Sequence, residues 1–234
     1  MASYVIGDVH NSLSKLDLIL KKISPSMTDH IYFLGDLFDR GGAEPDPVGV
    51  YFRICGLNSF VTWIRGNHDE LFAEYIQQYY KTPEKNRDRL VPYRYNSFDL
   101  MKNRLTEVDL LNIADLIKKL PLQVEIEVGS KKYLLAHAMT LDPEENNKTE
   151  ELYMEGQVDI DGYLRDGVLG YVSIVGHTDT SYMSSNHFGK YLDGKDGSIW
   201  VNEKENVIML DCGCGLPGGK LACICLDTGE RFYA

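Results

Sequence analysis

The sequence predicts an α/β protein built as one domain over residues 1–234, on three observations. Short apolar runs rich in Val, Ile, Tyr and Phe recur along the chain at the length of buried strands. Several end in a cluster of Gly, Asp, Asn or His, the place where α/β and layered sheet proteins carry their sites. Stretches with helical apolar spacing separate the early runs.

The first run, Tyr4-Val5-Ile6, stops at Gly7-Asp8-Val9-His10. Leu13, Leu16, Leu20 and Ile23 then form the apolar stripe of a helix that Pro25 closes. The run 30–34 stops at Gly35-Asp36-Leu37-Phe38-Asp39-Arg40-Gly41, and the run 60–65 at Gly66-Asn67-His68-Asp69. A helix is predicted over 70–80, and one or two more over 97–120, where Leu105, Leu110, Ile113 and Ile117 are apolar and Pro121 marks the boundary. Residues 124–128 and 133–136 about Gly129-Ser130 predict a hairpin leading to His137. The acidic, weakly patterned stretch 142–166 is expected as a loop. The run 171–175 leads to Gly176-His177-Thr178 and the run 206–210 to Asp211, with β-hairpins closing the chain through turns near Lys204 and Pro217-Gly218-Gly219.

The net charge of −11 disfavours a protein that coats nucleic acid, whose affinity rests on Lys and Arg neutralising phosphates. A locally positive pocket for one phosphate is compatible with it. Five cysteines without a secretion pattern do not read as a disulfide framework. No basic and apolar leader pattern opens the sequence, and no apolar stretch approaches the roughly 20 residues of a membrane span. The expected setting is the cytoplasm, with no membrane or nucleic-acid partner.

Asp8 and His10 stand two apart at a strand end and so point to one side. Singly, a Gly-Asp turn or a histidine after a strand is most often an ordinary hydrogen-bonded turn. Five such pieces together offer only oxygen and imidazole-nitrogen ligands, a set that suits Mn, Fe, Zn or similar ions. Arg40 suits a phosphate clamp, with a structural ion pair as the alternative. Cys212, Cys214, Cys223 and Cys225 form two C-x-C pairs, a shorter spacing than usual for zinc, so packing is expected ahead of zinc or a redox pair.

The three early motifs resemble the signatures of the PPP-type serine/threonine phosphatases, within the calcineurin-like metallophosphoesterases. His137 and Gly176-His177-Thr178 match that family's two later histidine motifs, and Asp211-Cys212-Gly213 with Gly218-Gly219-Lys220-Leu221 resembles the closing segment of bacterial members. The resemblance implies a four-layer sandwich of two mixed β-sheets flanked by helices, with a variable helical insert at about 72–120 and a variable loop at about 140–168. It implies two divalent cations, Mn first, with Fe, Zn, Ni or Mg as alternatives. Asp8 and His10 would hold the first, Asp36 would bridge, and Asn67, His137 and His177 would hold the second. Two cations roughly 3.5–4 Å apart neutralise a phosphoester and lower the pKa of a shared water, whose hydroxide attacks phosphorus in line. His68 would protonate the leaving group, Asp39 would orient His68, and Arg40 and Asn67 would bind phosphate.

Three positions depart from the family pattern. Asn11 stands where Gly is usual, and Asn tolerates unusual backbone angles. Asp69 replaces a Glu, and 152–156 lacks a phosphate-binding arginine, for which Arg165 is the candidate substitute. A phosphoserine/phosphothreonine or dual-specificity protein phosphatase is the leading expectation, because Asp39 is kept. A dinucleoside tetraphosphatase or other nucleotide phosphohydrolase is the alternative. The absence of a second histidine after His177 and the acidic surface place a nuclease or phosphodiesterase lower, and a non-enzymatic binding module lower still.

Overall fold

The computed structural model describes residues 1–146, 148–156, 159–185 and 188–234. The six apolar runs are strands β1 (Ser3–Ile6), β2 (His30–Phe33), β3 (Phe60–Trp63), β5 (Lys131–Ala136), β6 (Val172–Val175) and β9 (Val207–Met209). They are joined by β4 (Gln123–Val128), β7 (Gly189–Tyr191), β8 (Trp200–Asn202), β10 (Asp211–Cys212), β11 (Lys220–Cys225) and β12 (Arg231–Tyr233). The helices are α1 (Leu13–Ile23), α2 (Pro47–Cys55), α3 (Asn67–Lys81), α4 (Ser97–Lys102), α5 (Glu107–Ile117), α6 (Glu150–Met154) and α7 (Ile160–Asp166).

Among the described residues the strands form two mixed sheets. The first runs β10-β11-β1-β2-β3, with β12 on β11; β1, β2 and β3 are parallel and β11 runs against β1. The second runs β4-β5-β6-β9-β8-β7, parallel through β5, β6 and β9 and antiparallel at both flanks.

The two-residue period of each strand sorts its side chains into layers. Val5, Tyr32 and Leu34 face the second sheet and meet Tyr133, Leu135 and Ile174. Ile6, Ile31 and Phe33 face the other way, onto Leu16 and Ile19 of α1 and Phe72 and Ile76 of α3. On the outer face of the second sheet, Leu164 of α7 packs with Val175, Trp200, Val207 and Met209. The layers are therefore helices, sheet, sheet and a thinner helical cover, as the resemblance implied.

Two expectations need correction. The stretch 142–166, read as loop, carries α6 and α7; these helices are too short for a clear apolar period, and residues 147 and 157–158 lie outside the described ones. Helix α2 was not anticipated, although Asp46 accepts from Gly49 N (2.9 Å) as an N-cap and Pro47 occupies the first turn, a readable start signal. No described helix is long and apolar enough to cross a membrane.

Ile174 is fully buried between the sheets. Ile174→Ala should lower the unfolding free energy by about 2–5 kcal/mol. Urea melts check this, and a loss below about 1 kcal/mol would contradict tight inter-sheet packing.

Candidate functional site

Strands from both sheets end at one rim, and their following residues meet there. Asp8 and His10 follow β1, Asp36 follows β2, His137 follows β5 and His177 follows β6. Asn67 and His68 form the first turn of α3, which starts three residues before the predicted position. The reason is Asp69, whose carboxylate accepts from Gly66 N at 3.1 Å and so caps the helix from its third position. Gly66 and Gly176 are glycines by necessity, since a Cβ would stand 2.3 Å and 2.1 Å from Asp36 Oδ1 and Asp8 Oδ1.

The backbone is strained where the site is built. Among the described residues, His10, Asn11, Asp36, Asp39, Arg40 and His177 adopt positive φ between 47° and 69°. Asn11, the departure from Gly, has φ 57°, and its side chain amide donates to Ser97 Oγ at 2.9 Å.

His10 Nδ1 lies 3.0 Å from the Phe38 carbonyl and His137 Nδ1 lies 2.8 Å from the Leu34 carbonyl. A carbonyl only accepts, so both Nδ1 atoms carry the proton and both Nε2 lone pairs face inward, the usual second partner of a metal-bound imidazole. Asp36 spans the cluster, with Oδ2 3.7 Å from His10 Nε2 and Oδ1 3.4 Å from His137 Nε2. Asn67 Oδ1 sits 3.0 Å from His137 Nε2 and 3.3 Å from His177 Nδ1. Among the described residues two groups bring their ligand atoms within 4.8 Å of one another, His10 with Asp36 and His68, and Asp8 with Asp36 and His137. Asp36 belongs to both.

Electrostatically this is a poor site for protein alone and a good one for cations. Burial raises the pKa of Asp8 well above the usual range, and the charges of Asp211 and Asp36 raise it further. Burial and the Asp69 charge do the same to Asp36. Asp211, which the sequence reading did not place in the site, is pushed up to about 6, chiefly by burial. Burial holds His10 and His137 well below their ordinary value, helped at His10 by the Arg40 guanidinium, and burial brings His177 down to about 4. Neutral imidazoles beside crowded carboxylates are a donor set that fits divalent cations, which would relieve the repulsion.

Beside this cluster His68 Nδ1 lies 3.0 Å from Asp39 Oδ2, both side chains buried. Arg40 reaches between the histidines, Nη1 3.0 Å from His10 Nε2 and Nη2 3.2 Å from His68 Nε2. The turn carrying Asp39 and Arg40 is held by a segment that sequence motifs did not mark. Ser97 Oγ accepts from Asp39 N (2.6 Å), Asn96 Nδ2 donates to the Arg40 carbonyl (2.6 Å), and the Tyr93 hydroxyl donates to Asp39 Oδ2 (2.6 Å). A polar and aromatic run, Tyr93-Arg94-Tyr95-Asn96-Ser97, between two helical stretches was the available signal.

Arg165 is not brought to this cluster by any hydrogen bond or ion pair among the described residues. Its exposed side chain lies on the solvent side of α7 with its guanidinium on Asp166 at 2.9 Å, so no contact supports the substitute-arginine assignment. Cys212, Cys214, Cys223 and Cys225 are buried and unpaired. Burial pushes Cys212 to about 12 and Cys214 to about 11, and the Cys214 thiol donates to the Val9 carbonyl at 3.2 Å.

The sequence profile of the calcineurin-like phosphoesterases matches residues 1–207. This chain belongs to that family. It is 32% identical over 142 residues to a symmetrical bis(5′-nucleosyl)-tetraphosphatase from Erwinia tasmaniensis, covering 59% of this chain and 44% of the relative. The chain thus spans less than half the length of that relative. A serine/threonine-protein phosphatase 2 from Salmonella typhimurium is 29% identical over 174 residues, covering 71% of this chain and 69% of that one. The crystal structure of a candidate diadenosine tetraphosphatase shares the fold across the whole of this chain and 92% of that one, with a TM-score of 0.64 and 17% identity.

As a calcineurin-like phosphoesterase, the chain should gain stability from cations at Asp36. Saturating Mn²⁺ at about 100 times its dissociation constant should raise the Tm of metal-stripped protein by roughly 5–10 °C. Asp36→Asn should remove that rise while melting no lower than wild type in chelator, since it relieves buried repulsion. An Mn²⁺-induced rise that survives the substitution would exclude Asp36 as a shared ligand.

Proposed function

We propose that this chain is a two-metal protein phosphatase acting on phosphoserine and phosphothreonine, with phosphotyrosine as a further substrate. Asp8, His10 and Asp36 would hold one divalent cation, and Asp36, Asn67, His137 and His177 the other, manganese being the first choice. When bound, the cations would neutralise the phosphoester and activate a water.

The chain's own residues supply the rest. Arg40, extending over the cluster from the Asp39 turn, would turn its guanidinium fork onto phosphate oxygens. The Asn67 amide would orient the same group. With Arg40 turned from His68 Nε2 onto phosphate, that nitrogen would be free to pass a proton to the departing oxygen, and Asp39 would keep the ring aimed.

The observation that carries this reading is the buried His68–Asp39 pair at 3.0 Å. Serine and threonine esters leave as alkoxides, poor leaving groups that need a proton in the transition state. A dinucleoside polyphosphate is cleaved at an anhydride, where the departing phosphate leaves without one. An acid held by a buried carboxylate therefore fits monoesters best. The Salmonella phosphatase, matched over about two thirds of both chains, supports the same reading. A second reading, cleavage of dinucleoside tetraphosphates, is favoured by the 32% identity to the Erwinia enzyme.

Chelator-stripped protein reloaded with Mn²⁺, assayed on a phosphothreonine peptide, an aryl phosphate and diadenosine tetraphosphate, decides between them. His68→Asn should cut peptide turnover roughly 10²–10⁴-fold while the Mn²⁺-induced rise in Tm persists. Diadenosine tetraphosphate hydrolysed far faster than any phosphopeptide would overturn the protein-phosphatase reading in favour of the second.

A further inference from the structure

The proton donor's carboxylate has a second partner. Asp39 Oδ2, the oxygen that meets His68 Nδ1 at 3.0 Å, also accepts from the Tyr93 hydroxyl at 2.6 Å. Two donors converging on one carboxylate oxygen fix its rotation about the terminal bond more firmly than either alone. The Tyr93 ring is itself clamped. Phe72 and Tyr75 of α3 stand 5.9 Å and 5.0 Å from it, centroid to centroid. They lie four and seven residues beyond His68 and so share its helical face. The helix that presents His68 thus also holds the tyrosine that holds Asp39. Two residues on, the Tyr95 ring lies 4.4 Å from the His68 imidazole and closes its other side.

We propose that Tyr93 is a positioning residue for proton donation: its hydroxyl locks the Asp39 carboxylate in the rotamer that aims His68 at the leaving oxygen. The inference rests on the assignment of His68 as the proton donor. Nothing in the metal-ligand motifs requires Tyr93, which lies between helices α3 and α4. Burial and the adjacent Asp39 charge push its phenol well above its ordinary pKa, so it remains a donor wherever the protein is folded. Tyr93 acts through Asp39 and His68, so its loss should be felt only where a proton must be delivered. An alkoxide leaving group needs that proton. A nitrophenolate departs largely without it.

The test is Tyr93→Phe, which keeps the ring and its packing. With Mn²⁺-loaded protein, the ratio of kcat on a phosphothreonine peptide to kcat on p-nitrophenyl phosphate should fall about 10-fold, and the peptide KM should stay within about twofold. A ratio is independent of the fraction of folded enzyme. In a His68→Asn background the same substitution should not lower the ratio further. Equal losses on both substrates, a rise in KM alone, or a further fall without His68 would each overturn the proposal. A second readout needs no turnover. In the metal-free protein, the downfield Nδ1 proton of His68, identified by its absence in His68→Asn, should shift in Tyr93→Phe because Asp39 loses a competing donor. An unmoved resonance would also overturn the proposal. If Tyr93→Phe does not fold, Phe72→Leu, which loosens the clamp and keeps the phenol, carries the same ratio and resonance measurements. Full peptide turnover by His68→Asn itself would instead sink the assignment of His68, a result distinguishable from every outcome for Tyr93.

Discussion

Four N–H groups converge on the buried Asp69 carboxylate: Asp36 N at 2.9 Å, Leu37 N at 3.0 Å, and Gly66 N and Trp63 Nε1 at 3.1 Å. They come from the loop after β2, the end of β3 and the start of α3. One side chain therefore fixes the distance between Asp36, which spans the cluster, and Asn67 and His68. A carboxylate one methylene shorter than the family's usual glutamate still reaches all four, because it sits in the first turn of a helix that the tight Gly66 contact brings against Asp36. Leaving four buried donors unpaired would cost about 1–3 kcal/mol each before relaxation. The position therefore constrains the geometry of the site more than any single ligand does.

That geometry accepts an electrostatic liability. Asp8, Asp36, Asp69 and Asp211 are all nearly buried, and burial raises the pKa of each. Nearby cationic charge is limited, and Arg40 is the one guanidinium that lowers Asp8, Asp36 and Asp211 together. In a low-dielectric pocket such crowding is destabilising unless positive charge enters. The positive φ angles at His10, Asp36, Asp39, Arg40 and His177 add backbone strain at the same rim. The paired sheets and their shared apolar layer make this tolerable, because they fix the strand ends from which these residues emerge.

The sheet-end part of this arrangement was legible in the sequence because a short chemical vocabulary marks it. The Gly-Asp, Gly-Asn-His and Gly-His pieces each follow an apolar run, so the strands and the convergence of Asp8, His10, Asp36, Asn67, His137 and His177 could be read together. Asp211 was legible only as part of a closing motif, since a lone aspartate after a strand does not say which way it faces. Residues 93–97 were legible only as a polar and aromatic run between two helical stretches, with nothing to say what they touch. Tyr93, Asn96 and Ser97 reach Asp39 and Arg40 across more than 50 positions of sequence, and no periodicity records such a contact. Arg165 was chosen only for its proximity in sequence to the missing arginine, and its guanidinium pairs with adjacent Asp166 on the helix surface.

The site thus has two mechanical parts. The cation cradle hangs from strand ends of both sheets, where hydrogen-bonded ladders and a buried core leave little freedom. His68 is held by α3 from one side and, through Asp39 and Tyr93, by the 93–97 segment from the other, outside any strand. Changes in that segment can alter how firmly Asp39 holds His68 without disturbing Asp8, His10 or His137. In phosphoester hydrolysis the demand for a proton depends on the leaving group. Fold and family leave the substrate open, and this chain is similar both to a relative named as a serine/threonine-protein phosphatase and to one named as a symmetrical tetraphosphatase.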